Sequence, residues 1–199
     1  MRKKTQHISR AAPGGFTLIE ILVTLVIAMV VITAIFSIFV SSNRSYRTQD
    51  SVADAQQRVR IGIDFMVEDI RQAGLDPTGS GNFGLEIFTA TKLRFTADMD
   101  LDGAVDNANL ERITYEFDAA NRRLRRCLYE GTGSETWQTL IDNVSGVTFT
   151  YLNSAGTATA TADDIRSVLV TLTSEGTNAE GGTFTRRLAT RIICRNLYL

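Results

Sequence analysis

Four aspartates, Asp98, Asp100, Asp102 and Asp106, with Gly103 set among them, are the residues of this chain best suited to chemistry. The D-x-D-x-D-G spacing brings alternate carboxylates onto one hard cation, and the glycine permits the sharp turn between them. Carboxylates crowded this closely repel one another unless a cation stands between them, so calcium is the ligand indicated. An EF-hand is excluded. The twelfth position of its count is Asn109, Glu111 falls two residues late, and no helical pattern flanks the loop. The competing reading is an acidic hairpin loop without an ion.

Cys127 and Cys194 are the only cysteines, and both fall in β-type runs. In an oxidising compartment they are expected to pair, closing a long loop worth ~4 kcal/mol in the chain-entropy model. Two buried free thiols are the alternative. The only histidine, His7, lies in a basic N-terminal leader. A chain that loses this leader has neither the commonest general base nor the commonest metal ligand, so no enzyme is expected. The run Arg122-Arg123-Leu124-Arg125-Arg126 lacks an interleaved aromatic platform and reads as a solvated edge strand, not a nucleic-acid surface.

One further carboxylate stands apart. Glu20 heads Ile21–Val40, a run of twenty residues without charge, glycine or proline. At helical rise the run is about 30 Å long, enough to cross the hydrocarbon of a bilayer. A carboxylate at its mouth is costly unless a counter-charge meets it. The leader before it carries Arg2, Lys3, Lys4 and Arg10 and no acid, which holds the N-terminus in the cytoplasm and the residues after about Ser41 on the far side. Pro13-Gly14-Gly15 precede the apolar run, the reverse of a secretory signal. Without four of its 21 bases the chain keeps 17 against 22 acids, an ordinary acidic domain for which nucleic acid is not an expected partner.

Past Val40 the pattern turns amphipathic. Val52, Ala55, Val59, Ile63, Met66 and Ile70 form one stripe at helical spacing. One helix over about 16–73 is predicted, stopped by Gly74 and kept from resuming by Pro77. Eight β-type runs follow: 85–89, 92–97, 111–117, 122–129, 137–141, 144–152, 165–173 and 184–194. Their short, polar connections favour antiparallel pairing. The expected class is α+β, a long N-terminal helix on a C-terminal antiparallel sheet domain.

The segment Gly14-Gly15-Phe16-Thr17-Leu18-Ile19-Glu20, followed by the apolar run, resembles the class III signal of type IV prepilins and type II secretion pseudopilins. The resemblance implies that a prepilin peptidase cuts between Gly15 and Phe16, that Phe16 becomes the N-methylated first residue, and that Glu20 is the glutamate used in assembly. Physics agrees. The freed amine of Phe16 is cationic at neutral pH, and Glu20 is its natural counter-ion, within the subunit or in a neighbour. A helix at the wrong height leaves that carboxylate unpaired, at roughly 2.5–3.5 kcal/mol. Further on, Ser42–Asp50 and Asp69–Gly74 look like the PilW-type minor pilins, with the J-type minor pseudopilins of type II secretion next. Major pilins usually carry proline where Ser37 stands, and K-type tip pseudopilins typically lack a glutamate at the place of Glu20.

The expected organisation is a cleaved leader (1–15), a transmembrane and filament-core helix (16–41), its amphipathic continuation (42–77) and a periplasmic sheet domain (78–199). The resemblance implies a PilW-like minor pilin of the inner membrane, single-pass, which then moves to the pilus and cell surface. Its partners would be the prepilin peptidase, other major and minor pilins through the helix, and the inner-membrane assembly platform. No cofactor is required, with calcium as the one ligand indicated. Two rival readings are a J-like pseudopilin and a membrane-anchored, calcium-dependent binding or adhesion domain.

Overall fold

Apolar residues on every side of the chain give way at mid-helix to a single stripe, and both belong to one α-helix, α1, Leu18–Gln72. The computed structural model describes residues 14–178 and 181–198. The basic leader up to residue 13 lies outside the described residues, and with it the expected cytoplasmic placement of the N-terminus. The chain divides into two compact units, one ending at Ser45 and the other beginning at Tyr46.

In the first unit the apolar side chains of the helix are exposed. Phe16, Leu18 and Ile38 are 69–80% exposed, and the apolar window contains no buried residue. Among the described residues this is the one helix long and apolar enough to cross a membrane.

In the second unit the helix is a half-buried core element. Ala55, Val59, Gly62, Ile63, Met66 and Ile70 are buried, matching the predicted stripe except that Val52 is only half-buried. Gly62 belongs to that face because of proximity: a Cβ there would fall 1.9 Å from Cδ1 of Ile141. The helix ends where expected. Gly74 takes φ +77, its N–H donates to the Thr96 carbonyl, and a Cβ there would fall 2.6 Å from Leu197 Cδ2.

Eight strands follow, one for each predicted run: β1 Leu85–Phe88, β2 Lys92–Thr96, β3 Arg112–Asp118, β4 Arg123–Leu128, β5 Thr136–Ile141, β6 Val144–Leu152, β7 Ser167–Thr177 and β8 Thr183–Ile193. They form two antiparallel sheets, β1-β2-β3-β4-β5 and β6-β7-β8, each in sequence order. Leu93, Phe95, Ile113, Tyr115 and Leu124 from the first sheet meet Val147, Phe149, Val168, Val170 and Leu172 from the second in one core with the helix stripe. The Asp69 Oδ2 atom fixes helix to sheet, accepting from the Tyr115 hydroxyl at 2.5 Å and from Arg126 Nε at 2.8 Å.

Two expectations are corrected. The arginine run is not an edge strand, since β4 pairs with β3 on one side and β5 on the other. Its charges are satisfied locally: Arg122 by Glu175, Arg123 by Asp142, Arg125 by Asp118 and Arg126 by Asp69. Arg125 also lies 4.2 Å from the ring centroid of Trp137. Nor is there a disulfide. Cys127 and Cys194 are both free and buried: Cys194 belongs to the core cluster between helix and sheets, and Cys127 lies outside it. Burial pushes the Cys194 thiol up to about 12.

Candidate functional site

Two carboxylate sites bear on function, one at the head of α1 and one beyond its end. At the head, residues 14–17 are non-helical and the helix begins at Leu18. Thr17 stands at the N-cap position: its Oγ1 accepts from the Glu20 N–H at 3.4 Å and donates to Glu20 Oε2 at 3.5 Å, both long bonds. The spacing is that of a capping box, which fixes where the helix starts. Glu20 therefore lies in the first turn, where a negative charge also suits the helix dipole. Among the described residues nothing lies within 4 Å of a Cβ placed on Gly14 or Gly15.

The second site is the loop between β2 and β3. Asp98 is fully buried; its N–H donates to the Leu75 carbonyl at 2.8 Å, which ties the loop to the segment following α1. Its carboxylate accepts from the N–H groups of Leu101 and Gly103. Gly103 takes φ +79, and a side chain there would collide with Thr78 Oγ1 at 2.7 Å, so the predicted turn glycine is required on both counts.

One ligand oxygen each from Asp98, Asp100, Asp102 and Glu111 lies within 4.8 Å of the others. Three of the four expected ligands are therefore brought together, and Asp106 is not. Its Oδ1 is engaged by the Ala108 N–H, and its own N–H donates to Glu111 Oε2 at 2.9 Å. Glu111, only 1% exposed, takes its place. Counting along an EF-hand template put Glu111 out of reach. The signal that could have found it is its position at the head of β3, where the loop closes back on Asp98. Burial, followed by the charges of Asp106 and Asp100, holds the Glu111 carboxyl above the usual carboxylate range, against two backbone N–H bonds that favour ionisation.

A helix that is apolar all round behind a glutamate in its first half and packed on antiparallel sheets in its second fits a pilin-like subunit. The class is that of type IV pilins and pseudopilins. Residues 10–36 match the prokaryotic N-terminal methylation motif, and residues 48–193 match the family of prepilin peptidase-dependent protein B. That second match spans well over half of the chain, which belongs to the prepilin peptidase-dependent protein B family. No curated protein matches it. The apolar helix and the methylation motif together fit membrane anchoring.

Proposed function

We propose that the chain is a minor type IV pilin of the PilW type, a structural subunit rather than an enzyme. It is exported through the inner membrane with its sheet domain in the periplasm, cut between Gly15 and Phe16, and methylated on Phe16. It then joins other pilins at the assembly platform to prime or cap a pilus on the cell surface. The observation that carries this reading is Glu20 in the first turn, behind an N-cap at Thr17 and at the head of a helix apolar on every side. An apolar helix passing from lipid into a bundle of similar helices never meets water, so the transfer costs little. The pairing of Glu20 with a cationic chain end then sets its height.

The intact mass of the exported protein tests the processing step. Loss of residues 1–15 with gain of one methyl group is expected, and a chain that keeps Met1 while sibling subunits are trimmed would overturn it. Glu20→Ala is expected to stay in the membrane and fail to enter the filament. If that variant still performs the protein's role, an anchored binding or adhesion domain takes its place. A deletion that spares pili and twitching but traps secreted enzymes in the periplasm would make the chain a J-like pseudopilin.

The convergence of Asp98, Asp100, Asp102 and Glu111 favours a second property of the same subunit, calcium binding in the β2–β3 loop. Extracellular calcium sites work at about 10⁻⁴–10⁻³ M. Millimolar calcium is expected to raise the thermal midpoint of the native chain and leave that of Asp100→Ala unmoved; identical midpoints with calcium and with chelator would end the proposal.

A further inference from the structure

The open edges of the two sheets differ in how they are guarded. Strand β1 is an edge of four residues, with an irregular register between Leu85 and Ile87, and its Glu86 is held by Arg94 and Arg112. Irregular registers also mark β5 against β4 and β6 against β7. Strand β8 has no such interruption: eleven residues pair with β7 in unbroken register from Thr183 to Ile193. Ordinary strands run about 5–6 residues, and edges are normally blunted by shortness, bulges, proline, charged side chains or a covering element; charge, in Arg186, Arg187 and Arg191, is the guard that β8 carries. Strand β8 uses none of the first three, and it is the outermost strand of its sheet.

Its charge is of one sign. Arg186, Arg187 and Arg191 lie on the strand with no acid among its residues. On the face turned to α1, burial fades along the strand: Ile192 is 2% exposed, Thr190 is half-buried and Leu188 is 39% exposed. A groove of about 500 Å³ lies there, lined by Val59, Ile63 and Asp64 from α1 and by Leu188, Arg186 and Arg187 from β8.

We propose that β8 is the docking edge for an extended acidic segment of another protein. The segment pairs along β8 as a fourth strand of its sheet and lays an apolar side chain into the groove over Val59, Ile63 and Leu188. Main-chain bonds to the open edge supply affinity, and alternate side chains supply specificity. A second copy of this chain is the wrong occupant, because two β8 edges brought together would set arginines against arginines.

The test uses the full chain in detergent and a labelled peptide of alternating glutamate and valine as long as β8, with an arginine–valine peptide as its counterpart. Fluorescence anisotropy is expected to show binding of the acidic peptide alone, weakening as salt is raised. Hydrogen exchange is expected to slow at β8 amides and leave β1 unchanged. The double variant Arg186→Glu/Arg187→Glu, with an unchanged thermal midpoint, should lose at least about tenfold in affinity for the acidic peptide. Equal binding of both peptides, no binding of the acidic one, protection away from β8, or an unaffected variant would each overturn the proposal. So would β8 protection that grows with protein concentration in the absence of peptide, which would make the occupant a second copy.

Discussion

The two halves of α1 are both rich in apolar residues, yet they bury them by different means. From Phe16 to Phe39 the apolar side chains are about half exposed or more and point to every side. From Ala55 to Ile70 the buried ones, Ala55, Val59, Ile63, Met66 and Ile70, keep to one face covered by the two sheets, while Ile61 and Phe65 stay 45% and 49% exposed on the other side. Uniform apolarity means that the partner lies outside the chain, in lipid or among other helices, whereas a stripe at helical spacing means that the partner is the chain's own domain. The helix is therefore two devices under one hydrogen-bonded backbone, and substitutions in each half should be felt in different experiments.

The largest difference is expected between Met66→Ala and Val26→Ala. Met66 is fully buried, and truncation should cost about 2–5 kcal/mol of domain stability, read as a lower denaturant midpoint. Val26 is 60% exposed, and its truncation should leave the same midpoint within about 0.5 kcal/mol. If Val26→Ala destabilises the sheet domain as Met66→Ala does, the division between the halves fails.

The same contrast explains what could be read from sequence. The stripe from Ala55 to Ile70, the stop at Gly74 and all eight strands were legible, because each depends on local periodicity or on a residue with one conformational use. The partition into two sheets was not. Strand β6 carries the same alternation as β3, and only tertiary contact decides which neighbours pair. The arginines of β4 misled for a similar reason. Charge at alternate positions marks an edge unless acids elsewhere meet it, and Asp69, Asp118, Asp142 and Glu175 come from four other places in the chain. At the acidic loop Asp98, Asp100 and Asp102 were legible from spacing, while Glu111 entered through the fold of the β2–β3 connection. The cysteines were expected to meet on compartment grounds alone, and only Cys194 enters the common core. A reducing agent should accordingly leave the thermal midpoint unchanged, with both thiols titrating only after denaturation.

Gly62→Ala sharpens the comparison within the buried half. Alanine favours a helix interior by about 1 kcal/mol over glycine. Against that, the added methyl would sit 1.9 Å from Ile141 Cδ1, and Ile141 is itself only 4% exposed and hemmed in. Overpacking of this kind costs about 1–3 kcal/mol. A net loss of about 1 kcal/mol is expected, seen in chemical denaturation. A gain would mean that the helix stands further from β5 than the core requires.

The smallest effect separates the two glutamates at either side of the comparison, Glu20 exposed in the first turn of α1 and Glu111 buried beyond its end. In the native chain Glu111 keeps its proton to a higher pH than its ordinary value of 4.5, through burial and then the charges of Asp106 and Asp100. Between 4.5 and that raised value the native state binds more protons than the unfolded one, so stability falls as pH rises through the window. Glu130 works in the opposite sense and lower down. Burial opposes its ionisation, but Lys92 at 2.5 Å and Thr114 hold it below 4.5, so its contribution is lost only as pH falls further. As pH falls through that window the thermal midpoint in chelator is therefore expected to rise. Asp100→Asn, which removes one of the charges acting on Glu111, should flatten that slope. Calcium at saturation should abolish it, since a cation between the carboxylates favours their ionised form. A midpoint in chelator that falls steadily as pH is lowered toward 4.5, with no rise anywhere, would show that Glu111 is charged in the native loop without any cation, and would remove the physical reason for calcium there.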